Sequence, residues 1–404
     1  MKLRTTLAIV AAILAVVSAL AVVSVRRGVD RDWNAMLARI DELEAERLGR
    51  PMERDALYGE STSDAAWPYY ERALVVLRGI DEVRDRARVA PHAKTDEERA
   101  ERDALLAEAD ALFTHLRRAA HARDARSPVD LSLGASAPLH RLSEARPLAE
   151  LAVARAIALI ESGEDVRGVQ TLLDAQQFAR DLCVSPLLIE EMIGVSNLVP
   201  RAATDFLAEG GAARMSTEAK ELWLDGLDAL DASLPRRSSA YLGEVEVLGR
   251  EFANAFETTD RRGWTATIGA SPGWRFGYSW RGAAADYVER ATEIAREIEL
   301  DVDRTPAETI RDFTEHERAA ADDPNPLFEM AMPKFSSAAR SRYWNRARLS
   351  FLRYALAVDL GRVPCEPLDP FGNGVQIEVT EERIHLRADD GSGPRNQPEV
   401  ILVR

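Results

Sequence analysis

The chain has 404 residues, 46% of them hydrophobic and 29% charged, with a formal net charge of −15. That is ordinary globular usage and excludes wholesale disorder. Residues 1–31 hold five Lys or Arg and one Asp, leaving 47 basic against 66 acidic residues beyond them. So acidic a body repels phosphate backbones, and no nucleic-acid partner is expected.

Leu7 to Val25 is a stretch of 19 residues containing only Leu, Ala, Ile, Val and two serines. As a helix it would span roughly 28 Å, close to the ~30 Å hydrocarbon layer of a bilayer. Lys2 and Arg4 precede it; Arg26 and Arg27 close it. A cleaved signal peptide has a shorter apolar core and a clear small-x-small site, whereas the best site here is Val17-Ser18-Ala19. The expectation is an uncleaved signal anchor over residues 1–28, meeting the lipid bilayer through residues 7–25. Basic residues nearly balance across it. The short tail ahead of a signal-like stretch favours an exported body, on the periplasmic side of a bacterial inner membrane.

Residues 29–334 read as an α-helical body, since Ala, Leu, Arg and Glu recur and Val/Ile runs are short. Trp33, Met36, Leu37, Ile40, Leu43 and Leu48 fall at helical spacing from Asp30, before a stop at Gly49-Arg50-Pro51. A second helix is expected from about Asp64 to Arg88. Thr95-Asp96-Glu97-Glu98 is a capping box opening a third, striped by Leu105, Leu106, Ala109, Leu112, Phe113 and Leu116. A loop over 127–140 follows. Residues 144–162 and 165–182 are two helices joined by Ser162-Gly163-Glu164, hence an antiparallel hairpin of tetratricopeptide type; no second copy recurs at a 34-residue period. Leu172 and Leu173 are expected to bury against the first helix of that pair. Further helices are expected over 186–208 (kinked at Pro200), 217–231, 236–257, 283–300 and, behind the Thr305–Glu308 capping box, 306–320.

Between them, Gly263 to Gly282 gathers Trp264, Trp274, Phe276, Tyr278 and Trp280 among five glycines, which argue against one continuous helix there. These rings are candidates for a partner or membrane-contact surface, because Trp and Tyr are favoured at both. The bland alternative is that they plug gaps between helices.

Residues 335–404 read as a long helix, about 335–360, followed by a small antiparallel β unit built from Val375–Val379, Ile384–Leu386 and Val400–Val403. Asp369-Pro370 is expected to turn the chain out of the helix, with Gly372 and Gly374 allowing a tight turn into the first strand. Gly361-Arg362-Val363-Pro364, Leu368-Asp369-Pro370-Phe371-Gly372-Asn373-Gly374 and Ala388-Asp389-Asp390-Gly391 follow that helix. This tail, about 40 residues, resembles the C-terminal part of the major pseudopilin of type II secretion, whose corresponding loop holds Ca²⁺. The N-terminus departs from that pattern, lacking a Gly-Phe-Thr-type processing site and an early glutamate in the apolar stretch. The whole chain resembles uncharacterised bacterial proteins with an N-terminal anchor, an Ala/Leu-rich helical body and such a tail.

Asp389 and Asp390, with Asp369 brought near in space, would offer hard oxygen ligands to Ca²⁺. Other chemistry is thin. Cys183 and Cys365 make no CxxC pair, and the six histidines show no zinc-ligand spacing. Whether the two cysteines bridge is left open. His115 and His121 lie about 240° apart around a helix; Glu315-His316-Glu317 points to different faces, and Asp301 and Asp303 sit ahead of a cap. No Gly-x-Ser-x-Gly elbow, Walker A loop or dinucleotide fingerprint occurs. The expected role is a non-catalytic, membrane-anchored interaction or scaffold protein with an unidentified protein partner. The alternatives are an accessory component of a secretion or pilus-like system, and an enzyme of unrecognised type.

Overall fold

The computed structural model describes residues 2–50, 52–136, 142–235, 240–258, 277–300, 304–323, 325, 327–328, 335–388 and 398–404. It is mainly helical, with a small antiparallel three-stranded sheet near the C-terminus. Helix α1 is Lys2–Gly49. The side chains of residues 7–23, the bulk of the expected membrane stretch, lie outside the described set. No helix among the described residues is long and apolar enough to cross a membrane. Farther along α1, Trp33, Met36, Ile40 and Leu43 are buried, one face of a helix at three- and four-residue spacing.

A four-helix group follows: α2 (Trp67–Arg78), α3 (Val83–Val89), α4 (Asp96–Glu108) and α5 (Asp110–His121). The single helix expected over 64–88 is two, parted at Glu82, which takes a left-handed φ of 51°. The Thr95–Glu98 capping box is present in both directions, but its helix ends at Ala109, where α5 begins anew. Two short strands missed in the sequence, β1 (Thr62–Ala65) and β2 (Ala122–Asp124), pair in parallel beside this group. The 127–140 loop holds a 3₁₀ turn over Leu131–Ser136.

The hairpin is as expected: α6 (Leu142–Glu161) packs against α7 (Asp165–Cys183). Leu172 and Leu173 are both buried. Leu173 lies against Gly226 of α10 (Thr217–Ser233), where an added Cβ would come within 2.5 Å of it. Pro200 is a boundary rather than a kink, separating α8 (Leu188–Asn197) from α9 (Arg201–Ala208), because Pro removes a donor and disfavours helix in the residue before it. α8 approaches α7 closely at Gly194, whose Cβ would lie 2.6 Å from the Ala179 carbonyl oxygen and 2.7 Å from the Cys183 amide nitrogen. Only glycine fits that contact.

Next come α11 (Ala240–Thr258), α12 (Gly277–Leu300) and α13 (Pro306–Ala321), the last behind the expected capping box. α12 begins six residues earlier than the sequence reading placed it and takes Gly282 into the helix. α14 (Phe335–Asp359) is ended by Gly361, not by Asp369-Pro370. Gly361 has φ 68°, its amide bonds to the Val358 carbonyl at 3.1 Å, and Arg362 bonds back to Ala357 at 2.8 Å. That pair of bonds satisfies the last carbonyls of the helix. Gly372 and Gly374, at φ 76° and 88°, do make the turn into the sheet.

The sheet runs β3 (Val375–Val379), β4 (Arg383–Ala388), β5 (Glu399–Val403), all antiparallel. Ile384, Leu386, Val400 and Leu402 face inward onto α14 and α9. Among the described residues three large apolar cores result, besides a small cluster of Val129, Leu131, Leu187 and Val247. One joins α2–α5 to α6 and α7; one joins α6, α7, α9, α10, the later half of α14 and the sheet; one joins α1, α11, α12, α13 and the start of α14. α7 and α14 each serve two cores and tie the body together.

Candidate functional site

Few of the residues singled out in the sequence are among those described. Trp264, Trp274, Phe276, Asp301, Asp303, Asp389 and Asp390 lie outside the described residues. Tyr278 and Trp280 fall in the first turn of α12, and their side chains are likewise outside the described set. Asp369 has a local role: its Oδ1 accepts from the amides of Phe371 (3.1 Å) and Gly372 (2.9 Å), and its Oδ2 from Gly374 (2.7 Å). Its carboxylate shapes the turn into β3, as Asx side chains do. Among the described residues no three His, Cys, Asp or Glu gather to hold a metal. His121 Nδ1 lies 3.0 Å from the Glu60 carbonyl oxygen, and Glu317 accepts from the Ser336 amide and hydroxyl. Burial, then Arg72 and Arg118, hold the His115 imidazole below its usual pKa. Both cysteines are free, Cys183 buried and Cys365 exposed.

Two buried polar centres sit on α7. The Asp181 carboxylate is fully buried and meets the Arg54 guanidinium in a forked pair, Nη2 to Oδ2 at 2.6 Å and Nε to Oδ1 at 2.9 Å. Tyr70 donates to the same Oδ2 at 2.7 Å, and Arg54 also donates to the carbonyls of Ala119 and Ala120. Burial opposes the Arg54 charge, yet Asp181 and Tyr70 hold its pKa above the ordinary value; burial and Asp181 raise that of Tyr70. Most of its polar valences are used, and the group clamps residues 52–54 to α7. Two turns earlier, Asp174 accepts from Tyr58 (2.6 Å) and lies 3.4 Å from the Arg117 Nε. Here compensation is incomplete, and burial pushes the Asp174 carboxyl up to about 6 despite both partners.

The third centre was not visible as a motif. α14 carries Arg340, Arg342, Arg346, Arg348 and Arg353 but no acid before Asp359, so its buried arginines need partners from other elements. Arg342 pairs with Glu191 of α8, Arg346 with Asp231 of α10 at 3.3 Å, and Arg353 with Asp228 at 2.6 Å. Arg348 does not follow them. It is 7% exposed, donates from Nη2 to the Thr204 hydroxyl at 3.2 Å, and lies 5.1 Å over the Trp344 ring. Among the described residues no carboxylate pairs with it, and burial lowers its pKa to about 10, with Asp205 opposing.

Arg348 lines a cavity of about 430 Å³ between α6, α8, α9 and α14, with Arg88, His92, Arg146 and Arg201 around it. Its acids are Glu150 and Asp205, drawn to Arg146 (2.9 Å) and Arg201 (3.7 Å) respectively. The first turn of α9 forms one wall, with Pro200 at the N-cap and no side-chain cap. A smaller cavity, about 270 Å³, lies between the end of α1, residues 126–130 and α11. Two of its cations are compensated: Arg47 holds Glu246 through two bonds of 3.0 Å, and Arg50 holds Glu46. The arginines of the larger cavity come from four separate segments, so no local spacing announces them. The one signal in the sequence is the run 335–358, rich in arginine and free of acids.

Compared with protein-family models, curated proteins and solved structures, the chain matches none.

Proposed function

We propose that the protein is a single-pass, membrane-anchored, non-catalytic interaction or scaffold protein of the bacterial envelope, with its body on the periplasmic side and a protein partner. The observation that carries this reading is the seating of α1 in the body. The helix that begins in the apolar N-terminal stretch buries Trp33, Met36, Ile40 and Leu43 in the same core as α11, α12 and α13. Ion pairs from Arg250 to Asp41 and Glu44, and from Arg281 to Asp30, fasten it along its length. An anchor so joined would hold the whole body at the membrane rather than tether it on a linker.

The sheet offers a place for the partner. β3 is an edge strand, and Ile377 and Val379 are 42% and 47% exposed although they pair across from buried Leu386 and Ile384. An uncovered apolar edge is a template for an added strand or an apolar surface. Placing a photo-crosslinking residue at Ile377 in intact cells should yield a discrete adduct, and fractionation should keep the intact chain in membranes. A soluble product, or crosslinking at position 377 no stronger than at a polar surface position, would remove the reading. A second reading, an accessory part of a secretion or pilus-like machine, draws on the order of long helix then small sheet. It would be favoured if the adduct at 377 were a component of such a machine.

A further inference from the structure

We propose that the arginine-lined cavity between α6, α9 and α14 binds a small phosphate-bearing anion, held by Arg348, Arg201 and the first backbone amides of α9. This goes beyond the scaffold reading and stands independently of it.

The first argument is charge accounting along one helix. Arg342, Arg346 and Arg353 each reach a carboxylate on a neighbouring element. Arg348 is as deeply buried as Arg342, 7% against 6% exposed, and has one hydrogen bond to a neutral hydroxyl. A buried guanidinium without an anion is costly. The chain holds 67 acids against 52 bases, so acids are not scarce, yet among the described residues none pairs with Arg348. The Thr204 hydroxyl donates to the Arg201 carbonyl at 2.8 Å, which leaves its lone pairs for Arg348 and keeps the guanidinium oriented.

The second argument is the helix end. The leading amides of an α-helix have no partner within it and carry the positive end of its dipole. At α9 Pro200 occupies the N-cap, where its side chain cannot accept from them, and its carbonyl takes the Ala203 amide at 3.0 Å, which leaves the amides of Arg201 and Ala202. An oxyanion placed there is bound by backbone donors. The third argument is the sign of the lining. Arg88, Arg146, Arg201 and Arg348 outnumber Glu150 and Asp205, against the negative sign of the chain as a whole. Guanidinium groups approaching from four helices suit a tetrahedral, multivalent oxyanion better than a planar monoanion. A cavity of about 430 Å³ admits a phosphate with a small organic group attached. A soluble phosphate ester and the glycerol phosphate of an anionic lipid headgroup share that chemistry.

The test uses the full chain in neutral-detergent micelles. Glycerol 3-phosphate and inorganic phosphate are titrated by calorimetry and by melting temperature, against chloride at matched ionic strength; phosphatidylglycerol is added to the micelles in a parallel arm. Saturable binding to at least one probe is expected, with a rise in Tm as mass action requires. Arg348→Met should weaken it at least tenfold, while the ligand-free Tm stays equal or rises, because a buried uncompensated charge is removed. Arg201→Gln, whose side chain is 89% exposed, should weaken binding several-fold with the ligand-free Tm unchanged. A response to the soluble probes assigns a soluble ester; a response to the lipid alone, lost in Arg348→Met, assigns a headgroup. No saturable response to any probe would overturn the proposal, as would an Arg348→Met protein that responds like the wild type. Should that variant not fold, an unchanged affinity in Arg201→Gln would overturn it equally.

Discussion

On the side of α14 that meets α8 and α10, three arginines reach Glu191, Asp228 and Asp231. On the side that meets α9, Arg348 reaches a threonine and an indole ring. The residue type, the helix and the depth of burial are the same for Arg342 and Arg348. What differs is the facing element: α8 and α10 present carboxylates inward, while α9 presents Thr204 and turns Asp205 toward Arg201. A buried arginine is therefore not evidence of a site by itself; an unmatched one beside matched siblings is.

The comparison breaks most sharply at Glu191. Glu191→Ala leaves Arg342 buried and unpaired, and chemical denaturation should show a loss of about 3–5 kcal/mol. Glu191→Leu combined with Arg342→Met should recover most of it. If Glu191→Ala costs nothing, pairing is not what distinguishes the two faces.

Asp174 is the acidic counterpart of Arg348, a buried charge only partly matched. Its pKa of about 6 lies above the ordinary 3.8, so the native state holds the proton more tightly than the unfolded chain. Stability from this group is present in full below pH 4 and lost as pH rises from about 4 to about 6, by about 3 kcal/mol for a shift near two units. The stability of the wild type relative to Asp174→Asn should fall over that range and level off above it. A flat difference would mean that Tyr58 and Arg117 compensate the carboxylate fully.

Smaller effects sharpen the geometry. Gly194→Ala should push α8 off α7 and cost about 1–3 kcal/mol as overpacking, and it should loosen the Glu191–Arg342 pair one turn away. Unchanged stability would mean that the helices separate freely. Asp231→Asn is the mildest. Asp231 is partly exposed and shares two arginines, so a loss of up to about 1 kcal/mol, shrinking with added salt, is expected. A loss as large as that of Glu191→Ala would erase the distinction between buried and rim pairs.

Most helices could be read because their signals are local. Both capping boxes, at Thr95 and Thr305, lie within four residues and form as expected. The apolar stripe of α1 and the alternation in β4 report burial through their period alone. Where the reading failed, the cause was a residue acting against its usual preference or a contact distant in sequence. Glu82 adopts a left-handed conformation that glutamate seldom takes, which hid the break between α2 and α3. Gly361 ends α14 eight residues before the Asp369-Pro370 signal, which is an equally good stop on sequence grounds but belongs to the turn into β3. The cavity was out of reach for a different reason: Arg88, Arg146, Arg201 and Arg348 share no spacing, and only folding shows which arginine on α14 meets no acid among the described residues.

The unbroken α1 also sets a phase. Each residue of an α-helix advances the chain by 1.5 Å and turns it by about 100°, and the body grips α1 from Trp33 to Leu43 on one face. Whatever the residues before Gly28 present to their surroundings is therefore keyed in azimuth to the body, as the teeth of a gear are keyed to its shaft. One alanine inserted after Arg27 would swing everything upstream by nearly a third of a turn while leaving the body untouched, whereas seven would restore the bearing almost completely and change only the reach.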